Sequence, residues 1–211
     1  MSELQAKLLR HLVGAIGVAF LLLLPASGFS ASGDPAATRV DGLYAALLET
    51  MKQAKQLGLK GRYDKLAPIL SKTYDLPLMS RIAVGQHWDS MSAAERERVT
   101  AAFTRMTTAT YASRFDGFSG ERFEVLQTVD RPNGDKIVMT RIVPSDGKPV
   151  QLNYLMRNIG GEWKIIDVYL NGTISELASR RAEFGSILKS GGPNALVSAL
   201  TKQGDKLLTG G

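Results

Sequence analysis

The spacing of apolar and polar residues predicts helices over the first half of the chain after residue 35. Apolar side chains recur there every three or four positions, which is the period of an amphipathic helix. The first helix carries Val40 and Leu47 on its apolar face, the second carries Leu66 and Leu70, and a short third helix follows Asp75. These segments therefore predict a layer of helices, each of which buries its apolar face.

A longer helix is predicted after the sequence Ser92-Ala-Ala-Glu95. A serine followed three residues later by glutamate is typical of a capping box, in which each side chain binds a free backbone N–H of the first turn. Phe103, Met106 and Thr110 then fall on one side of this helix. The pattern ends at an aspartate–glycine pair, where a loop begins.

The period changes to two between residues 123 and 170. Four segments alternate apolar and polar positions, and turn-forming pairs such as Asn133-Gly134 and Gly160-Gly161 separate them. Helical spacing returns from Ile174, with a break at residues 191–193. Helices, strands and helices in this order predict an α+β fold: a four-stranded antiparallel meander sheet with helices packed on one face, enclosing an apolar cavity.

Residues 1–30 have the organisation of a secretory signal peptide. A short start with Lys7 and Arg10 precedes an apolar run over residues 12–24, and small residues follow Pro25. The run is shorter than the roughly 20 residues that a membrane-spanning helix needs, which favours cleavage over an uncleaved anchor. We expect cleavage near Ser30, with Gly28 as the alternative, leaving residues 31–211 as one exported, monomeric domain.

Composition limits the chemistry available to the exported part. The chain has no cysteine and two histidines, of which only His87 lies after residue 30. Disulfides, thiol nucleophiles and Cys/His metal sites are therefore excluded, and we expect no metal and no cofactor. The formal charge of +6 would fall to +5 without residues 1–30. In an exported protein this charge suits anionic lipid head groups or an acidic partner better than nucleic acid, although it is also an ordinary solubility charge.

Two residues keep an enzyme hypothesis open. His87 lies between two predicted helices, and Asp167 lies within an apolar strand. We interpret His87 as structural or exposed, and Asp167 as an edge or capping carboxylate that pairs with an arginine such as Arg81. No nucleotide-binding, metalloprotease or nucleophile-elbow motif is present in the sequence. We therefore assign no catalytic residue, and a polar pocket centred on His87 or Asp167 would favour the enzyme alternative.

Several segments together resemble the MlaC-type, or toluene-tolerance, family of lipid-binding proteins. The run from Asp75 through Arg81 to Trp88 resembles the family's "D…R.aLG..W" segment. Residues 161–175 resemble its "G.WkI.DV…GvSl" segment, and residues 181–184 resemble its "yR.qF". The resemblance covers about residues 36–207. The stretch from Tyr111 to Phe123 is closer to the hopanoid-associated branch, HpnM.

The resemblance implies a periplasmic lipid-binding shuttle that serves outer-membrane lipid homeostasis. It would carry a phospholipid or a hopanoid between an inner-membrane lipid transporter and an outer-membrane lipoprotein/porin complex. The alternatives are a small cupped α+β enzyme acting on a hydrophobic ligand and a structural protein without a ligand. Methionine side chains adapt to variable tails, and the candidates are Met79, Met106, Met139 and Met156.

The predicted lipid-binding residues come from the apolar faces of the sheet and of two helices. They are Met79, Ile82, Phe103, Met106, Thr110, Ile137, Met139, Leu152, Tyr154, Ile166 and Val168. On the last strand the faces depend on the register, because a shift of one residue would replace Ile166 and Val168 by Ile165 and Asp167.

Overall fold

A computed structural model describes residues 33–209, which form five helices and five strands. The helices of the first half are α1 (Pro35–Lys52), α2 (Ala54–Thr73), α3 (Leu76–Val84) and α4 (Ala93–Arg114), with a 3₁₀ turn at Gly85–His87 after α3. The strands are β1 (Arg122–Asp130), β2 (Lys136–Val143), β3 (Val150–Ile159), β4 (Glu162–Leu170) and β5 (Ile174–Ser175). Helix α5 (Glu176–Thr209) follows. The predicted signal peptide lies outside the described residues.

Side-chain caps determine where the early helices begin. The Asp34 carboxylate accepts hydrogen bonds from the backbone N–H groups of Ala36 and Ala37 at the start of α1. The predicted capping box of α4 is confirmed, because the Ser92 hydroxyl accepts from the Glu95 N–H and the Glu95 carboxylate accepts from the Ser92 N–H. These caps satisfy N–H groups that have no partner within the helix.

The sheet is an antiparallel meander in which the strands lie side by side in chain order. The predicted α+β class and meander are confirmed, but the predicted number of four strands is too low. The fifth strand has only two residues, Ile174 and Ser175, which pair with Leu170 and Tyr169 of β4. A strand this short leaves no alternating pattern in the sequence. It matters because it leads the chain directly into α5.

One face of the sheet is covered by the helical layer: α1 packs against β1, β2 and β4, and α2, α3 and α5 pack against β4. The inward-facing residues of β2 and β3 are buried and alternate with less buried neighbours; they are Val138, Thr140, Ile142, Leu152, Tyr154 and Met156. They join one apolar core with residues of every long helix. The core therefore lies between the sheet and the helical layer, as expected for this class.

A β-bulge in β4 changes which residues face the core. Tyr154 pairs with Val168 and Met156 pairs with Ile165, so two β4 residues lie opposite the single residue Leu155. The extra residue moves Ile166 off the inward face and puts Ile165 there instead. Bulges of this kind redirect side chains next to functional sites.

Helix α5 bends at Gly192, which has a left-handed φ of 67° and is followed by Pro193. The glycine permits this conformation, and the proline cannot continue the hydrogen bonding of the preceding turn. The predicted break at residues 191–193 is confirmed, because the backbone leaves helical geometry at Gly192 and divides α5 into two helical segments. None of the helices within residues 33–209 combines the length and the apolarity needed to cross a membrane.

Candidate binding cavity

A mostly apolar cavity lies between the inward face of the sheet and helices α4 and α5. Its wall consists of Tyr74, Met79, Phe103, Met106, Thr107, Thr110, Tyr111, Arg114, Phe115, Leu152, Tyr154, Val168, Leu170, Glu176, Leu177 and Arg180. Residues from α3, α4, β3, β4 and α5 thus meet at one place. The strands contribute mainly apolar side chains to the wall, and the helices contribute both apolar and polar side chains.

The cavity has more space than a single buried water molecule needs. The centres of water molecules have about 50 Å³ in which to move, several times the roughly 10–15 Å³ that one buried water needs. The space free of atoms, counted out to the open mouth, is about 720 Å³. The larger figure includes open solvent, and the smaller one is below the roughly 300–1,000 Å³ typical of small-molecule sites, so the wall has to move apart to admit a ligand of that size.

Helix α4 provides the longest continuous part of the wall. Phe103, Met106, Thr110 and Arg114 recur at intervals of three and four residues, so they follow one face of the helix. Phe103 and Met106 are almost fully buried, and Phe103 packs edge-on against Phe184 of α5. Along α4 the wall therefore changes from apolar at Phe103 to polar at Arg114.

Buried tyrosine and threonine hydroxyl groups form hydrogen bonds at the cavity wall and in the core next to it. The hydroxyls of Tyr74 and Tyr111 are paired, and Tyr44 donates to Thr140, whose own hydroxyl donates to the Leu152 carbonyl. Burial raises the pKa of Tyr44 to about 12, and burial likewise raises the pKa values of Tyr74 and Tyr111 above the ordinary tyrosine value. All of these hydroxyls therefore stay neutral at physiological pH.

Three charged residues of the wall form what we call the polar end of the cavity: Arg114, Glu176 and Arg180. The Arg180 guanidinium lies 3.7 Å from the Glu176 carboxylate and 3.2 Å from that of Glu183. Glu176 is also close enough to Tyr111 to act on it electrostatically. Arg114 and Glu176 are partly exposed, so this end reaches solvent while the Phe103 end is closed.

Seven of the eleven predicted lipid-binding residues lie on the cavity wall: Met79, Phe103, Met106, Thr110, Leu152, Tyr154 and Val168. The other four do not. Ile82 lies beside α5 at the edge of the core, where its carbonyl accepts a hydrogen bond from Arg181. Contact between lipid and the seven wall residues stays a prediction.

The predicted face of β2 is wrong, and the position of Ile166 is wrong for a different reason. Ile137 and Met139 alternate with the buried Val138 and Thr140 and so lie on the outward face. The Met139 sulfur accepts a hydrogen bond from the side chain of Gln127. Ile166 is displaced by the bulge in β4. Apolarity alone did not distinguish the two faces of β2, because both carry apolar side chains.

Several wall residues were not predicted, although the sequence carries a signal for most of them. Tyr111 and Arg114 continue the α4 face at helical spacing, and Leu170 follows Val168 by two positions on the strand. Tyr74 has no such local signal. It reaches the cavity because it forms a parallel bridge with Ile165, which is distant in sequence.

His87 and Asp167 are not wall residues of this cavity. The Asp167 carboxylate accepts hydrogen bonds from the Val168 and Leu177 N–H groups and from the Ser175 hydroxyl. The predicted capping role of Asp167 is confirmed, because it accepts from the Leu177 N–H in the first turn of α5, whereas the predicted pairing with an arginine is wrong, since neutral donors occupy both of its oxygens. Burial raises the pKa of this carboxyl, against the opposite effect of these hydrogen bonds. Its geometry ties β4 to the start of α5.

A second, wider groove lies between α1 and α2. Its wall includes Arg39, Gly42, Leu43, Ile69 and Lys72, and it is open to solvent along its length. It offers about 560 Å³ to the centres of water molecules. A groove this open to solvent excludes little water, so it is a poorer place for an apolar ligand than the first cavity.

Comparison with known proteins agrees with this architecture. The family described as MlaC protein matches residues 42–202 of the chain, which is well over half of its length. The chain is a member of the MlaC family. The matched region contains every strand, the cavity wall and the bend in α5.

The fold of this MlaC family member is also similar to that of a solved structure. That structure is a phospholipid-binding protein from Ralstonia solanacearum in complex with a phospholipid. The TM-score is 0.73 with 19% sequence identity, over 82% of this chain and 99% of the other. At this identity the likeness shows a shared fold.

Proposed function

We propose that the protein is a periplasmic lipid carrier that holds the acyl tails of a phospholipid in the cavity between the sheet and the helices. The observation that supports this most directly is the cavity itself, which is apolar at its closed end and polar at its open end. Membership of the MlaC family and the fold shared with a phospholipid-binding protein point the same way.

The physical need for such a cavity follows from lipid solubility. Each buried CH₂ group contributes about 0.8 kcal/mol, so exposing one tail of about fifteen CH₂ groups to water costs about 12 kcal/mol. A lipid crossing an aqueous space therefore needs an apolar lining. Met79 and Met106 suit this lining because their unbranched side chains adapt to different tails.

The proposal includes the route as well as the ligand. The protein would be exported by the leader at residues 1–30 and act as a monomer. It would receive and deliver lipid at an inner-membrane transporter and an outer-membrane lipoprotein/porin complex. A binding role also accounts for the polar groups near the cavity, because the tyrosines are neutral and their hydroxyls bond to one another or to Thr140 rather than being arranged as acid and base.

Two threonines of α4 offer a matched test of the cavity. Thr107 is a wall residue, whereas Thr104, one turn earlier, is not. Thr107→Trp should fill the cavity and reduce the lipid that co-purifies with the protein by at least about tenfold, whereas Thr104→Trp should leave it unchanged. Mass spectrometry of an organic extract measures the lipid, and circular dichroism shows whether each variant is folded.

A transfer assay separates carrying from mere binding. Wild-type protein should accelerate the movement of a fluorescent phospholipid from donor to acceptor vesicles, and Thr107→Trp should not. Wild-type protein that co-purifies without lipid and fails to accelerate transfer would contradict the proposed function. A hopanoid in the extract in place of phospholipid would contradict the proposed ligand but would be consistent with the proposed role as a lipid carrier.

A further inference from the structure

The polar end of the cavity has an uneven charge distribution. Arg180 is shared between Glu176 and Glu183, so its charge is matched by carboxylates of its own helix. Arg114, at the end of α4, forms no ion pair with any carboxylate within the described part of the chain. Arg114 is therefore the cation of the cavity wall that no carboxylate of the described residues holds in an ion pair, next to apolar side chains such as Phe115, although the two carboxylates at Arg180 bring the summed charge of this end to zero.

Two backbone N–H groups of the first turn of α5 already have acceptors within the protein. Helix α5 begins at the polar end, but the Leu177 N–H already donates to Asp167 and the Ala178 N–H donates to the Ser175 hydroxyl. An anion that enters would have to bind arginine side chains. A guanidinium is suited to this because its planar N–H groups can contact two oxygens of a phosphate at once.

We propose that Arg114 binds the phosphate of the lipid, with Arg180 held beside it by Glu176 and Glu183, so that the site selects a glycerophospholipid over an uncharged lipid. This inference rests on the proposed function, since it places the lipid's tails in the same cavity. A phosphodiester has one negative charge, which matches the one unpaired cation. Diacylglycerols and hopanoid alcohols have none, so they would leave Arg114 without a counter-charge.

The order of groups along α4 fits this arrangement. The tails would lie against Phe103 and Met106, and the phosphate would lie about two to three turns away at Arg114. Thr107, Thr110 and Tyr111 line the wall between these ends. The Thr110 and Tyr111 hydroxyls are already bonded to the Met106 carbonyl and the Tyr74 hydroxyl. The Thr107 hydroxyl suits the ester-linked glycerol region better than it suits hydrocarbon.

The test compares two lipids with the same oleoyl chains. Dioleoylphosphatidylglycerol and dioleoylglycerol are presented separately from the same non-ionic micelles to delipidated protein, and displacement of a bound fluorescent lipid gives their relative Kd values. Wild-type protein should prefer the phospholipid by at least about tenfold, or about 1.4 kcal/mol. Arg114→Gln should reduce this preference to less than about threefold, and Arg114→Lys, which keeps the charge, should retain most of it.

Arg105→Gln is the control, because Arg105 lies on the same helix but pairs with Asp205 away from the cavity. It should behave as wild type, and thermal melting should show that all variants are folded. Equal binding of the two lipids by wild-type protein, or an unchanged preference in Arg114→Gln, would overturn this inference and leave the proposed function standing. Failure of both lipids to bind wild-type protein would overturn the proposed function and this inference together.

Discussion

Met139 and Met156 lie on neighbouring strands of one sheet, and both were candidates for a lipid-adapted lining. Met156 is fully buried in the core, whereas Met139 lies on the outward face beside Gln127. Neither lines the cavity. The comparison shows that residue type does not decide the role of an apolar side chain in this sheet. The position of the residue in its strand decides which face of the sheet the side chain lies on. Its location in the sheet then decides whether an inward-facing side chain lines the cavity or the packed core.

A new charge on each face provides the largest expected effect. Met156→Glu would bury a carboxylate with no partner and should cost more than about 3 kcal/mol of the free energy of unfolding. Met139→Glu should change it by less than about 1 kcal/mol, because water reaches the outward face. Urea unfolding at neutral pH measures both. Similar losses in the two variants would show that the outward face is covered as closely as the inward one.

Two buried aspartates, Asp135 in the turn before β2 and Asp167 in β4, should respond to acid in opposite directions. The hydrogen bond from Arg157 lowers the pKa of Asp135 below 3.8, so its contribution to stability is present above pH 3.8 and is lost as pH falls through the folded pKa. Burial raises the pKa of Asp167 above 3.8, so its contribution is complete below pH 3.8 and is lost as pH rises through the folded pKa.

Single asparagine variants separate these two contributions. Asp135→Asn should reduce the fall in the free energy of unfolding as pH drops below 3.8. Asp167→Asn should remove the fall in the free energy of unfolding as pH rises above 3.8. The free energy of unfolding, measured by urea denaturation from pH 3 to pH 7, gives both slopes. Changes of the same sign in the two variants would contradict the assignment of an ion pair to Asp135 and of neutral donors to Asp167.

The smallest expected effect concerns an ion pair on the outward face. Arg141 of β2 pairs with Glu124 of β1, and the Arg141 side chain is about half exposed. Exposed pairs of this kind contribute about 0–1 kcal/mol. Arg141→Gln should therefore lower the free energy of unfolding by less than about 1 kcal/mol and leave lipid content unchanged. A larger loss would indicate that the outward face has a structural role of its own.

Much of the fold could be predicted because its signals are local. The capping box at Ser92 and Glu95, the periodic face of α4 and the glycine-containing hairpin turns each depend on residues close together in sequence. The α4 part of the cavity wall was predictable for the same reason. Helical spacing places Phe103, Met106 and Thr110 on one side regardless of what packs against them.

The rest of the wall depended on contacts between distant residues. On β2, Ile137 and Val138 are both apolar, so only packing against the helices shows that Val138 faces inward. On β4, the bulge becomes visible only when Ile165 is paired with Met156 across the strands. Tyr74 is at the cavity because it lies beside Ile165, far from it in sequence.

The sequence by itself determined the class of fold, the order of its elements, the resemblance to the MlaC family and the apolar face of α4. These follow from periodicity, capping and turn chemistry, which act over a few residues. The tertiary structure alone decided which strand residues face the cavity and which cation of its wall lacks a partner. The physical reason is that strand register and charge pairing depend on residues that are distant in sequence. A register shift of one residue on β4 would therefore change which side chains line the cavity.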